Sequence, residues 1–410
     1  MKQICELNDK VILGRDGMST KAPRITARAI VKNQNGLYAV MYADKFKLHS
    51  LPGGGVEVGE DVLTALRREI YEETGCVCDE IKELGIVAEN RASLDYTQIN
   101  YYFVVTTTPT PGENHLTEAE QDSRTVVEWH TFDEMVRLIN EQEFDRVQGK
   151  YLKARDVAAL YEYSNQRFEN LSNHFGVSIS LKTIYDADCD RYNVTEEGSN
   201  YTITLNVAKI PATDYAIHAG YHVSQILLPR LKLETERLIL RRYYPDDAVQ
   251  CFAFLSNEQD AYMDCCKAFS VMDEEYHERV MLFGQRETQY MVTLKESGEI
   301  IGTVNVFADD SRAVDAMEIG YSIAHAHQRK GYAFEALSAL LDLLQSDLCL
   351  EMVTAGALPE NVASENLLMK LGFHKEGLRH KAVWHEGLNR PVDLIYYYRD
   401  RPALAQSDGK

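Results

Sequence analysis

Three glutamates, Glu69, Glu72 and Glu73, follow one another at i, i+3 and i+4 inside the run GGVEVGEDVLTALRREIYEETGC, residues 54–76. On a helix this spacing gathers three like charges on one face, which costs a bare helix about 0.2–0.5 kcal/mol per pair. A hard divalent cation reverses the penalty. Mg²⁺ takes oxygen ligands and keeps several waters, which suits one or two carboxylates together with substrate phosphates. Such a cation neutralises diphosphate oxygens and lowers the pKa of a bound water, so the expected reaction is cleavage of a pyrophosphate bond. Arg68, next to Glu69, is expected to orient that carboxylate through an ion pair.

The same run carries Gly54, Glu60, Arg68, Glu69, Ile70, Glu72, Glu73 and Gly75 at fixed offsets, preceded by LPGGG. An acidic solvated helix face explains the glutamates but not the glycines and the arginine. In these residues the chain resembles the Nudix hydrolases, whose box has Gly, Glu, Arg-Glu-hydrophobic-x-Glu-Glu-x-Gly-hydrophobic at this spacing. The one departure is Cys76, where a bulky aliphatic residue is usual. The resemblance implies Glu72 and Glu73 as ligands of Mg²⁺ or Mn²⁺, Glu69 as a further ligand or general base, and Gly54 and Arg68 as part of the substrate site. It also implies a distant acidic residue from a later loop. TEAEQDSR offers Glu118, Glu120 and Asp122, and Glu120 is the favoured candidate.

A second constellation lies between Glu318 and Phe373. AMEIGYSIAHAHQRKGYAFEALSALLDLL passes from a strand through a short basic loop into an amphipathic helix with Leu337, Leu340, Leu341 and Leu344 inward. Backbone N–H groups at such a helix start form an anion site. Gln328, Arg329, Lys330, Gly331, Tyr332 and Ala333 would present them to a pyrophosphate. Residues 328–333 match the Q/R-x-x-G-x-G/A loop of the GNAT acetyltransferases, with LETERLILR (233–241), MEIGYSI (317–323) and NVASENLLMKLGF (361–373) in the expected order. The segment from Leu233 to about Arg399 resembles the branch that includes the ribosomal-protein N-terminal acetyltransferases. That resemblance implies acetyl-CoA as cosubstrate and an amine acceptor, either a small molecule or a protein N-terminus.

Acetyl transfer needs a deprotonated amine and a proton for the leaving thiolate. Glu318, on the strand before the loop, is the candidate base, with a half-exposed structural carboxylate as the bland alternative. Asn361 and Ser364 resemble the family's Asn-x-x-Ser pair, with Ser364 a donor to the departing sulfur. Where many relatives place a tyrosine seven residues after this Asn, Leu368 stands here.

Length and charge bound the rest. At 410 residues the chain exceeds one ordinary core. The reading is a multidomain α+β and α/β protein: a Nudix α/β/α sandwich over 1–163, a small α+β connector of unknown role over 164–231, a GNAT mixed-sheet domain over 232–402, and a tail over 403–410. With 43 Lys and Arg against 63 Asp and Glu, the net charge of -20 disfavours polymeric nucleic acid, which needs a basic surface. Eight scattered cysteines without a CxxC pair read as reduced thiols, and no long apolar run or leader pattern is present, so a cytoplasmic protein is expected. His218 and His222 stand at zinc-site spacing, but Ala219 replaces the glutamate of HExxH, so ordinary packing histidines are favoured. Two other readings stay open: a Nudix domain that senses a nucleotide and regulates the acetyltransferase, and an active hydrolase joined to a non-catalytic acyl-CoA binder.

Overall fold

The computed structural model describes residues 1–108, 116, 121–184 and 189–401. The first sheet uses β1 (Gln3–Asn8), β2 (Arg24–Lys32), β3 (Tyr38–Ala43), β4 (Leu48–Ser50), β5 (Gly53–Gly55), β6 (Cys78–Arg91), β7 (Tyr96–Thr107) and β8 (Thr125–His130). Its order is β1-β6-β7-β2-β3-β4, with β5 on β2 and β8 on β3. Alternation along β2 decides the layers, because successive side chains point to opposite faces. Ala27, Ala29 and Val31 pack with Ala65, Leu66 and Ile70 of the carboxylate helix. Ile30 joins the opposite core with Tyr102, Val157 and Leu160. The small residues of β2 let the helix Val62–Thr74 lie close against the sheet.

Asn35-Gly36 forms a turn, with Gly36 at φ 80° and its N–H bonded to the Asn33 carbonyl at 3.0 Å. The hairpin is minimal, however: β2 and β3 pair only at Lys32 and Tyr38. β2 instead runs parallel to β7 over nine residue pairs. Side-chain alternation reports which face a strand buries but not which strand lies beside it.

Two helices follow β8, Phe132–Asn140 and the 27-residue Val147–Asn173. The second helix passes through residue 163, so the first domain and the connector share one continuous helix. Beyond it, β9 (Ser178–Ile184), β10 (Tyr192–Glu197) and β11 (Asn200–Asn206) form a sheet in the order β10-β11-β9, followed by the helix Tyr215–Leu227. β10 is exposed throughout and has no hydrophobic alternation to announce it.

The last sheet contains β12 (Leu233–Glu234), β13 (Leu238–Arg242), β14 (Gln289–Leu294), β15 (Ile300–Ala308), β16 (Ala316–Ile323), β17 (Met352–Ala357), β18 (His374–His385) and β19 (Arg390–Asp400). Its order is β12-β13-β14-β15-β16-β17-β19-β18. Neighbours are antiparallel except β16 and β17. That parallel pairing covers only Ala316–Glu318 against Met352–Thr354, while β16 runs on to Ile323 and β17 to Ala357. The strands therefore part into a wedge with Glu318 and Thr354 at its apex. No described helix is long and apolar enough to cross a membrane.

Candidate active sites

The first site is built by β5 and the helix after it. β5 lies antiparallel to β2 with Gly54 opposite Ala27 and Gly53 opposite Arg28. Gly53 has φ 127°, and a Cβ there would lie 2.6 Å from Arg28 Cα. A Cβ on Gly54 would lie 2.5 Å from the Glu69 carboxyl carbon. The two glycines thus bring a backbone edge against a carboxylate. Asp61 caps the helix start by accepting from the N–H groups of Leu63 and Thr64, and Gly75 ends it at φ 68°.

Arg68 organises the acidic face. Its Nε and Nη2 donate to the two Glu60 oxygens at 3.0 Å each. Nη1 donates to Glu69 Oε1 at 2.8 Å and Glu72 Oε2 at 3.1 Å, and Nη2 also reaches the Gly55 carbonyl at 3.0 Å. These bonds raise the Arg68 pKa and hold Glu60 below the usual carboxylate range. Glu73 is buried and accepts from the Gly53 N–H at 2.6 Å. The expected pairing of Arg68 with Glu69 is present. Its bidentate grip on Glu60, a fixed residue of the motif, shows what that position is for.

Three hard oxygen donors beside a glycine cradle suit a divalent cation chemically. Among the described residues, no three His, Cys, Asp or Glu side chains are already gathered at metal-holding geometry, since Arg68 and the Gly53 amide take up carboxylate oxygens. Glu118 and Glu120 lie outside the described residues. Arg28 sits below this site, partly buried, with Nη1 donating to the Leu51 carbonyl at 3.2 Å. Asp156 accepts from the Leu51 N–H at 3.0 Å and the Tyr102 hydroxyl at 2.5 Å. Sequence reasoning missed this polar floor because Arg28 interrupts an otherwise apolar strand and Asp156 lies on an ordinary-looking helix.

The second site lies in the wedge. A cavity of about 720 Å³ is lined by Gln328, Arg329, Gly331, Tyr332, Asn361 and Ser364, among others. That volume lies within the usual range of small-molecule sites. Arg329 and Gly331 adopt φ 58° and 83°, and no side chain caps the helix Tyr332–Leu341. Its first N–H groups are left for a ligand. Gln328 lines the cavity, but its amide is used within the fold, donating to Asp260 Oδ1 and the Ile323 carbonyl at 2.9 Å each. Lys330 is exposed and outside the lining, and its carbonyl accepts from Arg237 at 3.2 Å.

Ser364 follows Asn361, whose Oδ1 accepts the Ser364 N–H at 3.1 Å. The Ser364 hydroxyl lies 2.7 Å from the Tyr321 hydroxyl. Burial pushes Tyr321 up to about 12, so it stays protonated. Tyr321 was not expected from the sequence, because it lies on β16 rather than on the helix of the missing family tyrosine. Glu318 lines neither this cavity nor the one beyond it. It shares a strand face with Gly320 and Ser322 but sits at the apex, where burial, reinforced by Asp309, raises its pKa against the opposing pull of Arg379 and Arg312.

The histidine pair of the connector is packed rather than poised for metal. His218 Nδ1 lies 2.6 Å from Asp315, and its Nε2 lies 2.8 Å from Arg191. His222 packs against Tyr192 with ring centroids 3.9 Å apart.

Two family models match the chain, the NUDIX domain over residues 22–153 and the acetyltransferase (GNAT) domain over residues 237–374. An uncharacterized N-acetyltransferase of Bacillus subtilis, YoaA, is 32% identical over 183 residues, spanning 42% of this chain and 97% of that protein. The [ribosomal protein uS5]-alanine N-acetyltransferase of Escherichia coli is 28% identical over 163 residues, 37% of this chain and 81% of that protein. A GNAT-family acetyltransferase structure from Bacillus anthracis is 23% identical with a TM-score of 0.37, covering 42% of this chain and 99% of that one. By its C-terminal domain the chain belongs to the GNAT N-acetyltransferases, and its N-terminal half carries a Nudix hydrolase domain.

Proposed function

We propose that the N-terminal site hydrolyses a phosphoanhydride of a nucleoside diphosphate linked to a second group, and that the C-terminal site transfers acetyl from acetyl-CoA to an amine. The observation that carries the first half is the set of carboxylates held by Arg68 beside Gly53 and Gly54. Glu69, Glu72 and Glu73 would hold Mg²⁺ or Mn²⁺, with Glu120 as a further candidate ligand. Once bound, such a cation neutralises phosphate oxygens and acidifies a water. Arg68 keeps Glu69 directed at the site, where it would take the proton of the attacking water as the phosphorus–oxygen bond breaks. Gly54 leaves room for the substrate beside that carboxylate.

In the C-terminal half, the uncapped start of helix Tyr332–Leu341 would receive the CoA pyrophosphate. Arg329, Lys330, Gly331, Tyr332 and Ala333 would surround it, with Gln328 bracing the loop. Asn361 positions Ser364, and the Ser364–Tyr321 hydroxyl pair would protonate the departing sulfur. The acceptor is a small-molecule amine or a protein N-terminus.

The test of the first half is product analysis after incubation with ADP-ribose, a dinucleotide, a nucleotide-sugar and nucleoside triphosphates, each with Mg²⁺ or Mn²⁺. Turnover of at least one is expected, falling by about 100-fold or more in Glu73→Gln, a loss at the upper end of what even groups that merely orient metal ligands cause. A panel without turnover, in which nucleotides only raise thermal stability, would instead make this domain a sensor.

A further inference from the structure

Two cavities meet inside the wedge. The one beside the loop 328–333 measures about 720 Å³, and a second of about 310 Å³ opens on the other side of the seam. Both are lined by Met263, Asp264, Tyr321, Ser322, Asn361 and Ser364. If the thioester occupies the first cavity, the acceptor must arrive through the second, and the reacting atoms meet among these six residues. Asp264 is the one carboxylate of the six.

We propose that Asp264 receives the acceptor and takes its proton, and that the acceptor is a primary amine on an apolar body. This rests on the acetyltransferase reading of the C-terminal domain. The second cavity has apolar walls from Phe254, Leu255, Phe283 and Leu394. Its polar lining includes Asn305, whose buried Oδ1 has no hydrogen-bond partner among the described residues. A carboxylate at the seam and an unpaired amide oxygen in the wall call for a ligand that donates N–H bonds.

Ser322 hydrogen-bonds the Asp264 side chain, and the charged groups nearby have partners of their own. Asp260, in the helix Glu258–Met263 that Asp264 ends, is taken up by the His325 N–H at 2.8 Å and by Gln328. Arg279 is held by both Glu386 oxygens at 2.7 and 2.8 Å. Arg286, Cys265 and Cys266 line the second cavity, and Tyr321 faces Ser364. Asp264 is exposed to the solvent space of the two cavities, while protein atoms crowd around its carboxyl from behind. Desolvation by that crowding, with the Asp260 charge adding to it and a hydrogen bond from the Ser322 side chain opposing, lifts its pKa to about 7, where a proton acceptor works best near neutral pH.

The step balances. An ammonium R–NH₃⁺ gives one proton to Asp264. The freed lone pair attacks the thioester carbonyl carbon, the C–N bond forms, and the C–S bond breaks with its electron pair on sulfur. The hydroxyl pair of Tyr321 and Ser364 gives a proton to sulfur and is restored by the second departing N–H proton. Asp264 then returns its proton to water, leaving amide and CoA thiol.

The test uses the full chain with acetyl-CoA and phenethylamine as probe acceptor, following thiol release from pH 5.5 to 9. Wild type should show an inflection in kcat/KM near pH 7. Asp264→Asn should lose the inflection and about 100-fold or more in rate while still binding acetyl-CoA by calorimetry, which also verifies that it folds. Asp264→Glu should restore the inflection in part, and Glu318→Gln should keep it. A wild-type profile in Asp264→Asn overturns the proposal. So does an acetyl-CoA-loaded wild type that phenethylamine neither reacts with nor stabilises. A wild type that cannot bind acetyl-CoA overturns the underlying reading as well.

Discussion

Gly53 and Gly54 are neighbours, yet a methyl group on each would meet different matter. At Gly54 it would press on the Glu69 carboxyl, the far end of a side chain that can shift. At Gly53 it would meet the backbone of Ala27 and Arg28 at φ 127°, where nothing can yield. Gly54→Ala is therefore expected to displace Glu69 and reduce nucleotide hydrolysis by about tenfold or more with little change in thermal stability. Gly53→Ala is expected to destabilise the N-terminal domain by about 1–3 kcal/mol, the usual cost of overpacking. Urea unfolding and hydrolysis rates on both variants check the pair. Equal loss of stability in the two would show that Gly54 serves packing rather than the site.

A helix end and a strand divergence shape the two sites at the scale of elements. The carboxylate helix stops where Gly75 enters the left-handed region and returns its N–H to the Tyr71 carbonyl at 2.9 Å. A side chain in that conformation costs about 1–2 kcal/mol. Gly75→Ala should lower the unfolding free energy of the N-terminal domain, read from urea titration, by an amount of that order. An unchanged midpoint would mean that the helix end relaxes at no cost. In the C-terminal sheet, the chemistry sits where parallel pairing fails: beyond Glu318 and Thr354 the two strands no longer satisfy each other, and the wedge admits a ligand between them. Ser322 and Tyr321 face that space because they lie past the apex, and Glu318 stays outside the cavity linings because it lies on it.

The domains share one apolar core at the scale of the whole molecule. A single cluster includes Tyr151 and Phe168 of the long helix, Val223 of the connector, and Leu344 and Leu348 of the C-terminal domain. The Tyr290 hydroxyl donates to the Leu228 carbonyl at 2.8 Å, and Arg401 reaches Asp133 at 2.8 Å. Gly220 lies so close to Leu348 that a Cβ would overlap its carbonyl oxygen. Ala ordinarily stabilises a helix interior over Gly by about 0.5–1 kcal/mol, but a backbone collision costs about 1–3 kcal/mol, and the collision wins. Gly220→Ala is expected to lower the unfolding midpoint of the connector and C-terminal domain together. Stabilisation would show that the connector is not packed against Leu348.

The amino-acid pattern by itself determined the box helix, its cap at Gly75 and the loop 328–333 between a strand and a helix, because each rests on local rules of spacing, capping and alternation; it did not announce β6 or β18. The same local rules could not reveal that Val147–Asn173 is one helix binding two modules, or that exposed β10 pairs with β11. Nor could they show that Arg68 grips Glu60, or that Tyr321 meets Ser364 across 43 residues. Asp264 acquires its setting from two cavities whose walls come from distant parts of the chain. Contacts of that kind are chosen by how sheets splay and helices pack, and only the folded arrangement decides them.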